Sequence, residues 1–260
     1  VKRSIVMLCS LLWPLAAAEQ ASTEEERLNF LRTAAVVSSQ VQEEGVTHAL
    51  RATLSLRGST HDAQIQSIDE LWDANEAFDS YKHNVAAYEL SRMLGLGMVP
   101  ATVSREYKGR PASFTWWVDD VLMTEAQRQE QSVRPPEAAP WNRQVLLMKV
   151  FDALIRNTDR NTGNVLIDRN WKVWMIDHTR SFGTNNEILE PEGLTRCDRL
   201  LLQRLQTLQP SAVAARLSAW LTPEQIGALM TRRDLVVRHF QVLSAEKGES
   251  AVFYDYLHKE

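Results

Sequence analysis

The stretch that decides the fold is Ile155-Arg-Asn-Thr-Asp-Arg-Asn-Thr-Gly-Asn-Val-Leu-Ile-Asp-Arg-Asn-Trp-Lys-Val-Trp-Met-Ile-Asp-His-Thr-Arg-Ser-Phe182. Val165-Leu166-Ile167 and Val173-Trp174-Met175-Ile176 are short apolar runs, and Asp168 to Lys172 between them is turn-like. The pattern predicts a buried antiparallel hairpin. Folding it about the midpoint between Asn170 and Trp171 sets residue 165 opposite 176 and residue 164 opposite 177. Directly opposed residues lie ~4.5–5.5 Å apart. An amide oxygen from Asn164 and a carboxylate from Asp177 would then meet at the open end. Such a hard-oxygen pair suits Mg²⁺ or Mn²⁺, with water and phosphate oxygens completing the shell. Asp159 lies on the loop leading into the first strand, where an acid can orient a hydroxyl and accept its proton.

Outward from this hairpin the elements read as follows. Trp141 to Arg156 is a strong helix with a polar stripe of Asn142, Lys149, Asp152 and Arg156. Gln127 to Pro140 is polar and proline-bearing and reads as a linker. Thr102 to Tyr107 and Ala112 to Val118 form a hairpin across Lys108-Gly109-Arg110. Tyr81 to Leu94 is helical, with Ala86, Leu90, Met93 and Leu94 on one face and Glu89 at its edge; Gly95 and Gly97 end it. Val46 to Leu56 and Ala63 to Ile68 read as strands about Arg57-Gly58-Ser59-Thr60. Asp69 to Ser80 reads as a loop or helical turn, and the charges from Arg27 to Glu44 as a solvated helical face. Ser22 to Arg32 is a short helix with acids in its first turn. From Cys197 onward the chain reads as helical, with Thr222-Pro223-Glu224-Gln225 as a capped helix start.

The chain of 260 residues is 44% apolar, enough for one substantial core or two lobes. Its net charge of -4 and the absence of a basic stripe argue against a nucleic-acid partner. Lys2 and Arg3, the apolar run Ile5 to Leu15 and Ala16-Ala17-Ala18 form the three-part pattern of a secretory signal peptide. An uncleaved anchor or a buried helix is the other reading, although a span needs ~20 apolar residues. No later stretch reads as transmembrane, and Cys197 is then the one cysteine left. The six histidines show no metal-ligand spacing. The expectation is a signal peptide at 1–18, a β-rich N-lobe at 19–126, a linker at 127–140 and a C-lobe at 141–260. The fold class is α+β, two-lobed, and the location exported, periplasmic or extracellular.

These motifs resemble a family. Asp159 to Asn164 has the spacing D-x-x-x-x-N of kinase catalytic loops, and Asp177 stands thirteen residues on, where the acid of D-F-G stands. Ile155 to Arg160 and Met175-Ile176-Asp177 are similar to atypical protein-kinase-like enzymes, in wording nearest type II phosphatidylinositol 4-kinases, HipA-like kinases and the secretory-pathway kinases of the Golgi. The resemblance implies Asp159 as catalytic acid/base, and Asn164 and Asp177 as ligands of Mg²⁺ or Mn²⁺ with ATP. It further implies Glu89 as the helix glutamate that pairs with the phosphate-binding lysine. Trp116 to Asp119, including Trp117, would be the hinge beside adenine. The chain departs from the pattern at the lysine, because Ala63-Gln64-Ile65-Gln66 sets Gln66 there. Lys82, Arg51 or Arg57 could supply the charge instead. Gly45-Val46-Thr47 is a thin replacement for a glycine-rich loop, Asn161 stands where related loops carry His, and His178-Thr179 replace Phe-Gly. The resemblance implies transfer of the γ-phosphoryl group of ATP to an unknown hydroxyl of a protein, lipid or small molecule. The missing lysine, and the scarcity of ATP outside the cytoplasm, keep open a pseudokinase or scaffolding module. Nucleotidyl transfer is a third reading.

Overall fold

A computed structural model describes residues 23–42, 49–71 and 78–258. The signal-peptide reading and the Gly45-Val46-Thr47 loop lie outside the described residues. The first helix, α1 (Glu24–Thr33), starts at a reciprocal cap: Thr23 Oγ1 accepts from the Glu26 amide, and the Glu26 carboxylate accepts from the Thr23 amide. It buries Leu28 and Leu31. The expected continuation of a charged helical face does not occur. Ala34 is extended, and Ala35–Val41 forms strand β1. Val36, Val37 and the Ser38-Ser39 pair are poor helix formers, and the strand is exposed, which hid its alternation from the sequence.

β2 (Leu50–Leu56) and β3 (Ser59–Gln66) join through Arg57 and Gly58, both at positive φ, as a two-residue hairpin turn requires. The segment expected as a loop instead supplies a short antiparallel pair, β4 (Asp69–Leu71) and β5 (Phe78–Ser80). Ser80 then caps α2 (Tyr81–Met93). Gly95, at φ 57°, has no room for a Cβ, because the Arg204 guanidinium fills that space and donates to Leu94 O at 2.8 Å. β6 (Thr102–Tyr107) and β7 (Arg110–Trp116) form the expected hairpin. The five strands pair in the order β1-β2-β3-β7-β6, all antiparallel.

Alternation divides this sheet into two chemistries. Ala52, Leu54, Ala63, Ile65 and Phe114 share one face and are buried in the core with α1 residues Leu28 and Leu31. Arg51, Thr53, Asp62, Gln64, Gln66, Ser113 and Thr115 share the other. Asn84 of α2 contacts Ser113 on this polar face.

The chain leaves the sheet at residues 117–120. β8 (Val121–Thr124) pairs with β9 (Val165–Asp168), which pairs with β10 (Val173–Met175), in a second, three-stranded sheet. The stretch expected as linker is helical at both ends and irregular between them: Thr124 caps α3 (Glu125–Glu130), and α4 runs from Ala138 to Ile155. The remaining elements are β11 (Cys197–Asp198), α5 (Arg199–Thr207), α6 (Pro210–Leu217), α7 (Pro223–Lys247), α8 (Glu249–Val252) and β12 (Phe253–Tyr254). β11 and β12 form a two-residue parallel pair, a small departure from an all-helical tail. The architecture is two-lobed α+β: an antiparallel sheet with a helix, then a mainly helical lobe. Among the described residues no helix is long and apolar enough to cross a membrane.

Candidate functional site

α4 ends at Arg156, whose left-handed backbone turns the chain out of the helix. Asn157 fixes the exit. Its Nδ2 donates to Asp152 Oδ1 at 3.1 Å, and its Oδ1 accepts the Asp159 amide at 3.0 Å. Asp159 is thereby held on a loop braced by the helix. Asn161 braces it from the other side: its Oδ1 caps the 3₁₀ turn at Thr162–Asn164, and its Nδ2 donates to Asp159 Oδ1 at 3.3 Å. Asn164 Nδ2 donates to Asp159 O at 3.2 Å, so Asp159 and Asn164 are neighbours.

The hairpin forms, but its register differs by one residue from that expected. Val165 faces Met175 and Ile167 faces Val173, so Asn164 pairs with Ile176, whose amide donates to Asn164 O at 3.1 Å. The cause is the turn. Its centre is Asn170, with Trp171 left-handed at φ 59° and the Asp168 carboxylate accepting the amides of Asn170 and Lys172. In a strand a one-residue slip would move a side chain to the opposite face. Asp177 is not in the strand. Its φ of 52° breaks the extended backbone there, and Thr179 donates to its Oδ1 from the hydroxyl at 2.9 Å.

Arg160 secures the open end. Its guanidinium grips both oxygens of Asp152 at 3.0 and 3.1 Å and donates from Nη1 to Asn164 O and Ile176 O. Both members of this pair are only 12% exposed. A second arginine, Arg180, donates to Asp159 Oδ2 at 3.2 Å and to Asp79 Oδ2 at 3.0 Å. Asp79 is buried on β5, and its Oδ1 has no partner among the described residues. Burial pushes the Asp177 carboxyl pKa up despite the Thr179 hydrogen bonds, and the negative charges of Asp79 and Asp159 push it further. Among the described residues no hydrogen bond reaches Asn164 Oδ1 or Asp177 Oδ2. Two uncommitted oxygen acceptors in a field of excess negative charge fit a divalent cation. Among the described residues no three His, Cys, Asp or Glu side chains could hold one by themselves, so water and phosphate oxygens would complete the shell.

The other lobe is differently built. Gln66 Oε1 accepts the amides of Ser67 and Ile68, which turns its carboxamide oxygen back on its own chain. Asn84 Oδ1 accepts the His178 amide at 2.8 Å, and its Nδ2 donates to Ser113 Oγ. Ser113 Oγ in turn donates to Gln66 O at 3.5 Å. A neutral chain of contacts thus joins β3, β7 and α2 to the segment after Asp177. His83 adds a second link, from Thr179 O at 2.7 Å to Gln225 at the start of α7. Burial holds the His83 pKa down at about 4, and burial likewise holds His178 well below the usual histidine range. The His178 ring packs edge-on to Phe151.

Glu89 pairs with arginines. Its carboxylate accepts from Arg216 of α6 at 2.6 Å and lies 3.8 Å from Arg92, so its helix phase turns it toward the second lobe instead. Asp119 is exposed and bonds His61 at 2.8 Å. Trp117 lies on the polar face, with the Arg51 guanidinium 4.3 Å over its ring. Arg51 also pairs with Asp62, Lys82 pairs with Asp69, and Arg57 sits in the β2–β3 turn. Trp117 and Asp119 both belong to the crossing between sheets. Sequence reasoning gave no role to Asp79, Asn84, Arg160 or Arg180. The one signal available was charge density: Arg160 and Arg180 flank the two acids in sequence.

No protein-family model matches the chain, and no curated protein does. Solved structures do match. A hydra Fam20 structure with sugar aligns with a TM-score of 0.68 at 17% identity, covering 89% of this chain and 92% of that one. The Golgi casein kinase with Mn and ADP bound aligns at 0.66 and 13% identity, over 90% and 80%. The Helicobacter pylori proinflammatory kinase CtkA aligns at 0.55 and 11%, over 84% and 98%. At these identities the likeness is one of fold, and the fold of this chain is the atypical protein-kinase-like fold of the Fam20 and Golgi casein kinase structures.

Proposed function

We propose that the chain is an exported phosphotransferase that moves the γ-phosphoryl group of ATP to a hydroxyl acceptor. One observation carries the reading. Asn164 and Asp177 keep an uncommitted oxygen each at the paired end of a buried hairpin, and Asp159 is held one short loop away. Those two residues would hold Mg²⁺ or Mn²⁺, which neutralises phosphate charge when bound. Asp159 orients the acceptor hydroxyl and takes its proton. Asn157, Asn161 and Arg180 fix its carboxylate and its backbone, so the base is positioned before substrate arrives. The Mn and ADP of the Golgi casein kinase structure support the nucleotide and metal. The sugar of the hydra Fam20 structure makes a carbohydrate hydroxyl the first acceptor to try. The leader-like residues 1–18 support export.

A second reading has its own observation. Gln66 stands in place of the lysine, and its amide oxygen is used by the backbone. A nucleotide-binding module without turnover would look the same there. Melting of the purified chain with and without Mn-ATP tests binding, because a ligand of the native state stabilises it. Turnover of labelled ATP then tests catalysis. Stabilisation with no turnover in any acceptor mixture supports the module. Turnover that survives Asp159→Asn removes the base assignment.

A further inference from the structure

Arg180 lies between two acids that come from different lobes. Its Nε donates to Asp79 Oδ2 at 3.0 Å, and its Nη1 donates to Asp159 Oδ2 at 3.2 Å. The Asp79 side chain is 2% exposed and the Asp159 side chain 36%. The backbone fixes both ends of this bridge. Asp79 pairs across β4–β5 with Glu70, and the next amide, that of Ser80, donates to Thr179 O at 3.0 Å. Arg180 O accepts from the Thr158 amide at 3.1 Å and from the Thr158 hydroxyl at 3.0 Å. The arginine is therefore strapped to the loop that carries Asp159, and the acid that shares it is strapped to the strand before α2.

Asp79 is a poor device for stability. Among the described residues its buried Oδ1 has no partner, and an unserved carboxylate oxygen carries a desolvation cost that a neutral side chain avoids. Its effect on Arg180 is more informative. A guanidinium that faces a single carboxylate takes it by two parallel bonds, one to each oxygen. Here Nε is committed to Asp79, and Nη1 makes a single bond to one oxygen of Asp159. Asp159 Oδ1 is left with the Asn161 amide at 3.3 Å, beyond the usual range of such bonds. That oxygen stays open to an incoming hydroxyl. We propose that Asp79 is a positioning residue: it restrains Arg180 from closing over both oxygens of Asp159. It touches no reacting group and acts through the arginine, from the other lobe. Its consequence for turnover rests on the phosphotransfer reading above; the coupling of Asp79 to Asp159 does not.

The order of three variants tests it, with Mn-ATP and an acceptor that the wild-type chain phosphorylates. Asp79→Asn keeps the shape and removes the charge that holds Nε. Its kcat should fall about 10–100-fold, with KM for the nucleotide changed by no more than about twofold. Asp79→Asn/Arg180→Gln should turn over faster than Asp79→Asn alone, because nothing then closes over Asp159. It should stay short of wild type, since Asn157 and Asn161 are left to hold the acid. A packing role predicts the opposite order, with the double variant the slowest. Arg180→Gln alone strands a buried acid and can unfold the chain, whereas the double variant removes both charges together. Asp79→Glu keeps the charge and should recover part of the kcat lost in Asp79→Asn. Unchanged kcat in Asp79→Asn, or a double variant no faster than it, overturns the proposal. A second readout needs no activity. With aspartate labelled at the carboxyl carbon, the Asp159 resonance is the one missing in Asp159→Asn. It should move in Asp79→Asn, and a resonance that stays in place overturns the proposal even in an inactive chain. A wild-type chain inactive on every acceptor, with that resonance moving, overturns the phosphotransfer reading and supports the coupling.

Discussion

The two sides of the candidate site, a lower wall from the second lobe and an upper wall from the five-stranded sheet and α2, are built on opposite electrostatic plans. The lower wall, from Asn157 to Arg180, is dense in charge: Asp152–Arg160 and Asp79–Arg180–Asp159 tie acids to arginines, and burial raises the Asp177 pKa. The upper wall joins β3 to α2 without an ion pair, through Asn84, Ser113 and Gln66. In protein kinases a lysine and a glutamate meet at that position. Here both are absent together, and the glutamate of the helix pairs with α6 instead. Joint replacement by neutral groups that bond one another differs from loss of a lysine alone, which would leave a buried acid unpaired. On the proposed phosphotransfer reading, the difference teaches that phosphate charge would be met from the lower wall and the metal it would hold.

The largest effects should therefore fall below. Asp159→Asn keeps the shape and removes the proposed proton acceptor. Turnover should drop by about 10³-fold while Mn-ADP still raises the melting temperature. Arg160→Ala comes next. It leaves Asp152 buried and unpaired and frees the carbonyls of Asn164 and Ile176. Loss of one partner of such a pair costs about 3–5 kcal/mol. Chemical denaturation would read this directly, and Arg160→Lys should recover only part of it, because a point charge cannot reproduce the fork. An Arg160→Ala chain as stable as wild type would mean that the hairpin end holds itself.

How much of this was legible beforehand follows from the range of each interaction. α2, α4 and the hairpin strands were readable because periodicity is local. Asp159 and Asn164 were readable because their spacing is local too. The register was not, since it depends on a left-handed Trp171, and no residue-type rule predicts a tryptophan there. Asp79 and Arg180 lie 101 positions apart, and nothing in either neighbourhood announces the other. The Arg216 partner of Glu89 was not legible for a related reason. Helix phase placed Glu89 at the edge of the buried face, and only the docking of α6 decides which lobe claims it. β1 was hidden by exposure, because a strand with no buried face has no alternation to read.

Between the walls, His83 links Thr179 O to Gln225 as a neutral ring. Its folded pKa of about 4 lies below the usual 6.5. The unfolded chain therefore binds the proton more readily, and stability present above pH 6.5 should be lost as pH falls toward 4. The shift corresponds to about 3 kcal/mol. His83→Gln should flatten that part of the stability–pH curve; an unchanged curve would assign the acid sensitivity to His178. Above, Asn84→Ala should cost about 1–3 kcal/mol, because it orphans the buried His178 amide. Asn84→Asp should be worse for Mn-nucleotide than for the fold, since among the described residues Arg51 and Lys82 of that lobe are already paired with Asp62 and Asp69.

The smallest effect is the most pointed. If Glu89 served a phosphate-binding cation, Glu89→Gln would lower turnover by about 10²-fold or more and leave melting nearly unchanged. The observed pair with Arg216 predicts the reverse. The Arg216 side chain is 47% exposed, so solvent screens the interaction and its loss should cost no more than about 1 kcal/mol. That is a fall of a few degrees at most for a chain of this length, with turnover within twofold of wild type. Arg216→Gln should give a similar small fall, and the double variant should lose less than the sum of the two single ones, the signature of coupled groups. A large loss of turnover in Glu89→Gln with Arg216→Gln silent would return Glu89 to the cleft, and the upper wall would then hold a charge after all.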